Sequence, residues 1–172
     1  MGGSIEDATG SSDNPLYPFE LAVERIEAAA EACRGKPLML NARAENYLYG
    51  QRDLADTIKK LQAFEEAGAD VLYAPGITSL EELGTICREI SKPFNALMGI
   101  RQPTFSLQQL EAVGVKRVSV GGGFARAAMT GFLEAAKEVM EQGTFTYSAK
   151  ITSNNDAVHW TTTGEDKENL MV

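Results

Sequence analysis

Two acidic residues and an arginine carry the clearest chemistry in this sequence. Glu6 and Asp7 close the stretch Gly2-Gly3-Ser4-Ile5, and Arg43 stands between Ala42 and Ala44, followed by Glu45 and Asn46. A hard cation such as Mg2+ takes oxygen ligands, often one or two carboxylates with water completing the shell. A guanidinium fork grips a carboxylate through two parallel hydrogen bonds. Brought to one place, these groups suit a metal-chelated oxyacid held by its own carboxylate. Each also has a plainer reading. Glu6 and Asp7 could serve as surface or helix-entry acids. Arg43, set in an apolar run, needs a partner, and Glu45 on the same side of a strand can be that partner. Gly121-Gly122-Gly123 either cradles a phosphate at a helix start or turns a strand tightly into a helix.

These residues act together only if the elements around them bring them together. Short apolar runs alternate with helical periods along the chain. Residues 1–6, 38–45, 70–76, 94–99 and 117–123 read as strands. Phe19, Ala22, Val23, Ile26, Ala29, Ala30 and Cys33 recur at helical spacing, and Gly35 and Pro37 stop that helix. Further helical faces carry Leu54, Ile58, Leu61 and Phe64; Leu80, Leu83, Ile86 and Ile90; and Leu107, Leu110 and Val113. Phe124, Ala128, Phe132, Ala135 and Val139 line a last one. Five β-then-α units in a row imply a parallel sheet covered by helices. It closes either as a doubly wound open sheet or as part of a (β/α)8 barrel, since a full barrel takes eight units. The partial-barrel domain is expected over residues 1–147. Residues 148–172 form a polar tail without a sustained helical period, expected to be loosely ordered.

In either closure function collects at the C-terminal strand ends. Those ends hold Glu6, Asp7, Arg43, Glu45, Asn46, Pro75, Gly76, Leu97, Gly99 and Gly121–Gly123. They hold no lysine, which argues against Schiff-base chemistry. They hold no histidine or cysteine, so no thiol nucleophile or imidazole base stands there. His159 and Trp160 fall in the polar tail, away from this set.

Composition excludes some classes of partner. The 172 residues are 44% hydrophobic and 23% charged, as in globular chains, with a net charge of −8. That surplus argues against nucleic acid, whose phosphates need a basic face. No apolar run approaches the ~20 residues that span a bilayer. Cys33 and Cys87 lack metal-like spacing and fit buried, reduced thiols in a cytoplasmic protein.

The segments "GGSIEDATG", "ARAENYLYG", "DTIKKLQAFEEAGADVLYAPG", "KPFNALMG" and "GVKRVSVGGGFARAA", in this order, resemble the isocitrate lyase / phosphoenolpyruvate mutase superfamily over about residues 2–147. The phosphoenolpyruvate mutase-like subgroup is the nearest part of it. The resemblance implies strands four to eight of a (β/α)8 barrel, in an oligomer. It implies Mg2+-dependent lyase or mutase chemistry on C–C or P–C bonds of small α-keto or enolpyruvate acids. By the same resemblance, Glu6 belongs to the metal's water shell and Arg43 holds the substrate carboxylate. Ser4 and Asn95 then line the pocket.

Two departures qualify that expectation. The Lys-x-Cys-Gly-His loop of the family's lyases is replaced by "ATGSSDNPLY", which argues against cysteine-assisted isocitrate cleavage. The family's directly coordinating aspartates lie on strands two and three, which have no counterpart in this sequence. The resemblance thus implies either such an enzyme in truncated form, or a non-catalytic partial barrel that acts by oligomerising with a longer homologue. A third expectation is a phosphate site at Gly121–Gly123 with Arg126 as its cation.

Overall fold

The structure, a computed structural model, describes residues 2–100 and 104–161. Five strands alternate with helices: β1 (Gly2–Glu6), α1 (Phe19–Cys33), β2 (Met39–Arg43), α2 (Leu54–Glu66), β3 (Val71–Tyr73), α3 (Leu80–Glu89), β4 (Phe94–Leu97), α4 (Leu107–Ala112), β5 (Arg117–Ser119) and α5 (Gly123–Gln142). Each strand pairs in parallel with the next, in the order β1-β2-β3-β4-β5. A doubly wound sheet reverses its strand order at a switch point. This sheet has no reversal, so of the two closures open to the sequence it is a run of barrel wall. β1 and β5 are its edges.

Strand periodicity divides the sheet into an apolar face and a polar face. Leu40, Ala42, Ala44, Leu72, Ala74, Phe94 and Ala96 alternate onto the side where the helices lie, and all are buried. They form one core with Ala22 and Ile26 of α1, Leu61 and Phe64 of α2, Leu83 and Ile86 of α3, and Leu110 of α4. Alanines at 42 and 44 let α1 and α2 approach the sheet closely. Local signals start the helices: Asp53, Ser79 and Ser106 each accept an N–H from three residues on, the usual N-cap arrangement. Gly114, at a φ of +100°, closes the turn after α4; a Cβ there would lie 2.9 Å from the Cβ of Cys87.

The other face carries the residues of chemical interest. The register aligns Glu6 with Arg43, Arg43 with Tyr73, Tyr73 with Asn95, and Asn95 with Arg117. Neighbours aligned in a parallel sheet project to the same side. One rung of side chains, Glu6–Arg43–Tyr73–Asn95–Arg117, therefore crosses all five strands.

The chain divides into two compact units, one ending at Phe124 and one beginning at Ala125. The first unit is shorter than the domain over 1–147 expected from the sequence. In the second, no residue of α5 is buried, although its apolar period reads as a packing face. Glu138 of α5 accepts hydrogen bonds from Thr144, Thr146 and Tyr147, which fold a 3-10 turn (Thr146–Lys150) against it. The stretch read as a loose tail holds a further helix, α6 (Asn154–Thr161). Ser153 Oγ accepts the Asp156 N–H and donates to the Asp156 carboxylate. A capped helix of eight residues is too short to show as a sustained period. Residues 162–172 lie outside the described residues.

Candidate active site

Glu6 and Asp7 are adjacent in sequence and separated in space by the sheet itself. Glu6 ends β1 on the polar face, with its side chain 45% exposed. Asp7 points to the helix side and is 1% exposed. There its carboxylate accepts the Glu45 N–H at 2.7 Å and meets Lys60 Nζ of α2 at 3.1 Å. The Asp7 backbone donates to the Arg43 carbonyl and accepts from the Tyr17 N–H. Asp7 is therefore a structural tie, and the acid pair is not a catalytic dyad.

Arg43 is the centre of the polar face. Its Nε donates to Glu45 Oε1 at 2.7 Å, and its Nη1 lies 3.3 Å from Glu6 Oε2. Its guanidinium carbon sits 5.0 Å from the centre of the Tyr73 ring, within cation–π range. Among the described residues, Nη2 meets no acceptor. The side chain is 27% exposed. Glu45 is the structural partner of Arg43, and one edge of the guanidinium carries no bond among the described residues. Burial pulls the Arg43 pKa down, but the hydrogen bond and charge of Glu45 and the charge of Glu6 outweigh it, so the net shift is upward. Glu45 moves upward too. Its burial outweighs the hydrogen bond from Arg43, and the neighbouring charges of Glu6 and Asp7 push the same way.

The other expected residues hold varied positions. Ser4 is exposed one rung below Glu6, paired with Asn41. The Asn41 amide oxygen is buried without a partner among the described residues. Asn95 is fully buried and both ends of its amide are engaged: Nδ2 donates to Ser119 Oγ at 3.0 Å, and Oδ1 accepts from Arg117 Nη1 at 2.7 Å. Asn46, another strand-end residue, staples the loop before α2 by donating to Gln51 O and Thr57 Oγ1. Packing accounts for two glycines of the run; Gly122 has open space around it. A Cβ on Gly121 would lie 2.7 Å from Ile100 Cδ1, and one on Gly123 would lie 2.8 Å from the Gly99 carbonyl oxygen. Cys33 and Cys87 are free and partly buried, and burial raises the Cys87 pKa. Among the described residues, no helix is long and apolar enough to cross a membrane.

Lys60, Tyr73 and Arg117 escaped the strand-end reading. Helical period places Lys60 on the buried side of α2 with Thr57, Leu61 and Phe64. Tyr73 and Arg117 join the site only through register.

The sequence profile described as phosphoenolpyruvate phosphomutase matches residues 1–140. A crystal structure of a provisionally assigned lyase/mutase from Burkholderia cenocepacia J2315 superposes with a TM-score of 0.89 at 50% identity, over 95% of this chain and 59% of that one. The 2-methylisocitrate lyase of Aeropyrum pernix is 28% identical over 131 residues, 75% of this chain and 41% of the lyase. A phosphonopyruvate hydrolase solved with oxalate and Mg2+ shares the fold, with a TM-score of 0.77 at 22% identity, over 98% of this chain and 60% of the hydrolase. The chain spans about half the length, or less, of the curated relatives it matches.

Two outcomes are expected. Lys60→Met leaves Asp7 buried and unpaired, and lowers the unfolding free energy in urea by about 3–5 kcal/mol; adding Asp7→Asn recovers part of the loss. Glu45, with its folded-state pKa above its unfolded one, binds more protons folded than unfolded between the two values. Its contribution is present below the unfolded pKa and is lost as pH rises through the folded one. Urea melts across that window should show wild type losing stability relative to Glu45→Gln as pH rises.

Proposed function

Because this chain belongs to the phosphoenolpyruvate phosphomutase family, we propose that it supplies the carboxylate-anchoring half of a barrel active site. The site acts on C–C or P–C bonds of small 2-oxo or enolpyruvate acids, as a lyase or mutase. The observation that carries this reading is the free edge of Arg43. Glu45 and Glu6 fix two sides of the guanidinium, so the remaining N–H groups are oriented before any ligand arrives. A substrate carboxylate meets a fork that loses little freedom on binding.

Charge bears on the metal. Around Arg43 two carboxylates already face one guanidinium, and a bound carboxylate adds another negative charge. A divalent cation offsets that surplus, and Glu6, partly exposed on the polar face, fits a ligand that reaches it through water. Among the described residues no three acidic, histidine or cysteine side chains gather as a metal-binding group. Oxygens of the substrate and water then complete the shell that Glu6 reaches. When bound, the ion supplies Lewis-acid stabilisation of an enolate-like oxygen. Arg43 orients the carboxylate beside the bond that changes. Tyr73 covers the guanidinium face, and burial raises its pKa, which keeps the phenol protonated. Ser4 and Asn95 line the same face, Asn95 as the link that holds Arg117.

A second reading is favoured by α5. Met129, Phe132, Leu133 and Met140 recur on one stripe of this helix, and all are exposed; Phe132 is 67% exposed. A stripe of this kind suits a helix partner, and the chain then works as a subunit beside another copy or a longer homologue in the cytoplasm.

Thermal unfolding tests the first reading. Ligand that binds only the folded state raises the melting temperature, by about 2–4 °C per kcal/mol for a chain of this size. Mg2+ with oxalate, a mimic of the pyruvate enolate, should raise it, with neither component sufficient alone. Arg43→Lys keeps the charge, removes the fork, and should abolish the rise. No rise in the wild-type chain, or an equal rise in the variant, contradicts the anchoring role. Light scattering on the same samples reports the second reading: a mass near the 18.6 kDa of one chain contradicts it.

A further inference from the structure

A cavity of about 610 Å3 opens at the C-terminal strand ends, between the segments that follow β2, β3 and β4. Leu48, Ile77, Leu97, Met98 and Ile100 give it apolar walls, and Arg52 is the sole charged residue on its lining among the described residues. The close approach of two loops shapes one wall: a Cβ on Gly76 would lie 3.1 Å from both Tyr47 Cβ and Leu48 Cδ2. Tyr47 is held there by donating to Glu82 Oε1 at 3.0 Å. Burial and then Glu82 push its phenol up to about 12, so it adds no negative charge near neutral pH. Among the described residues Arg52 makes no ion pair or hydrogen bond. This volume lies within the range of small-ligand pockets.

The cavity reaches the polar face through β4. Leu97 follows Asn95 by two residues on β4, so it projects to the same side one rung nearer the strand ends. An apolar chamber with, among the described residues, one unpaired cation and no anion on its lining matches an aliphatic chain that ends in a carboxylate.

We propose that this cavity is a specificity pocket that receives the distal part of the substrate, and that Arg52 binds a second carboxylate there. The inference rests on the carboxylate-anchoring role of Arg43 and narrows its substrate class to dicarboxylic 2-oxo acids longer than oxaloacetate. Arg43 takes the carboxylate next to the oxo group, the apolar walls take the methylene chain, and Arg52 takes the far end. Arg52 is exposed, so its replacement leaves the core intact.

Binding to the full chain, measured by calorimetry with Mg2+ present, tests this with three probes: oxalate, 2-oxohexanoate and 2-oxoadipate. The expected result is 2-oxoadipate binding about tenfold or more tighter than either of the others, the scale of one charge-assisted pair. Arg52→Met should remove that advantage and leave 2-oxohexanoate unchanged. Oxalate binding with no preference for 2-oxoadipate overturns the pocket and leaves the Arg43 reading standing. An Arg52-dependent preference for 2-oxoadipate that is unchanged by Arg43→Lys upholds the pocket and overturns the Arg43 reading. Binding of no probe, or a 2-oxoadipate preference that survives Arg52→Met, overturns the proposal.

Discussion

The carboxylate of Asp7 is the tie on which the rest of the site depends. It sits where β1 ends, in the layer between sheet and helices, and holds α2 through Lys60 and the end of β2 through the Glu45 N–H. Its own backbone bonds join Arg43 to the segment that leads into α1. A buried carboxylate is costly unless it is paired and hydrogen-bonded, and Asp7 is both. Its bonds to the Arg43 carbonyl and to the Glu45 N–H bracket Arg43 along the chain. The position of the guanidinium is thus set from behind the sheet, by groups that no ligand touches.

The sheet then divides the work between its faces. Alternate residues of one strand serve different ends: Leu40, Ala42 and Ala44 hold the helices, while Arg43 and Glu45 face away from them. Register extends that division to all five strands, so one rung joins an acid, two arginines, a tyrosine and an asparagine. Sequential parallel pairing places every strand's C-terminal end at the same edge. That shared edge is why the segments after β2, β3 and β4 can line one cavity.

Much of this was legible in the sequence. Periodicity located the five strands and the helices to within a few residues, because each apolar run is long enough to bury one face. Glu6 and Arg43 stood out because charge at the end of an apolar strand demands a reason. Lys60 was harder: Lys59 and Lys60 are alike in type, and only helical phase sends Lys60 to Asp7 and Lys59 over the ring of Phe19. Tyr73 and Arg117 were beyond reach until register was known, since a slip of one residue moves a side chain to the other face. The apolar period of α5 predicts a helix, but a period does not say what covers it. Past Gly143, the short helix α6 depends on one cap at Ser153, too local a signal for a periodic reading.

Amide hydrogen exchange at Glu45 in the wild-type chain tests the central claim most directly. Glu45 lies just past the end of β2, and its N–H donates to a side chain rather than to the sheet. If Asp7 is the tie described here, that amide exchanges as slowly as the buried sheet amides of Ala42 and Leu72, opening only with the unit that carries the sheet. Exchange as fast as that of the exposed loop amide of Gly10 would contradict the account.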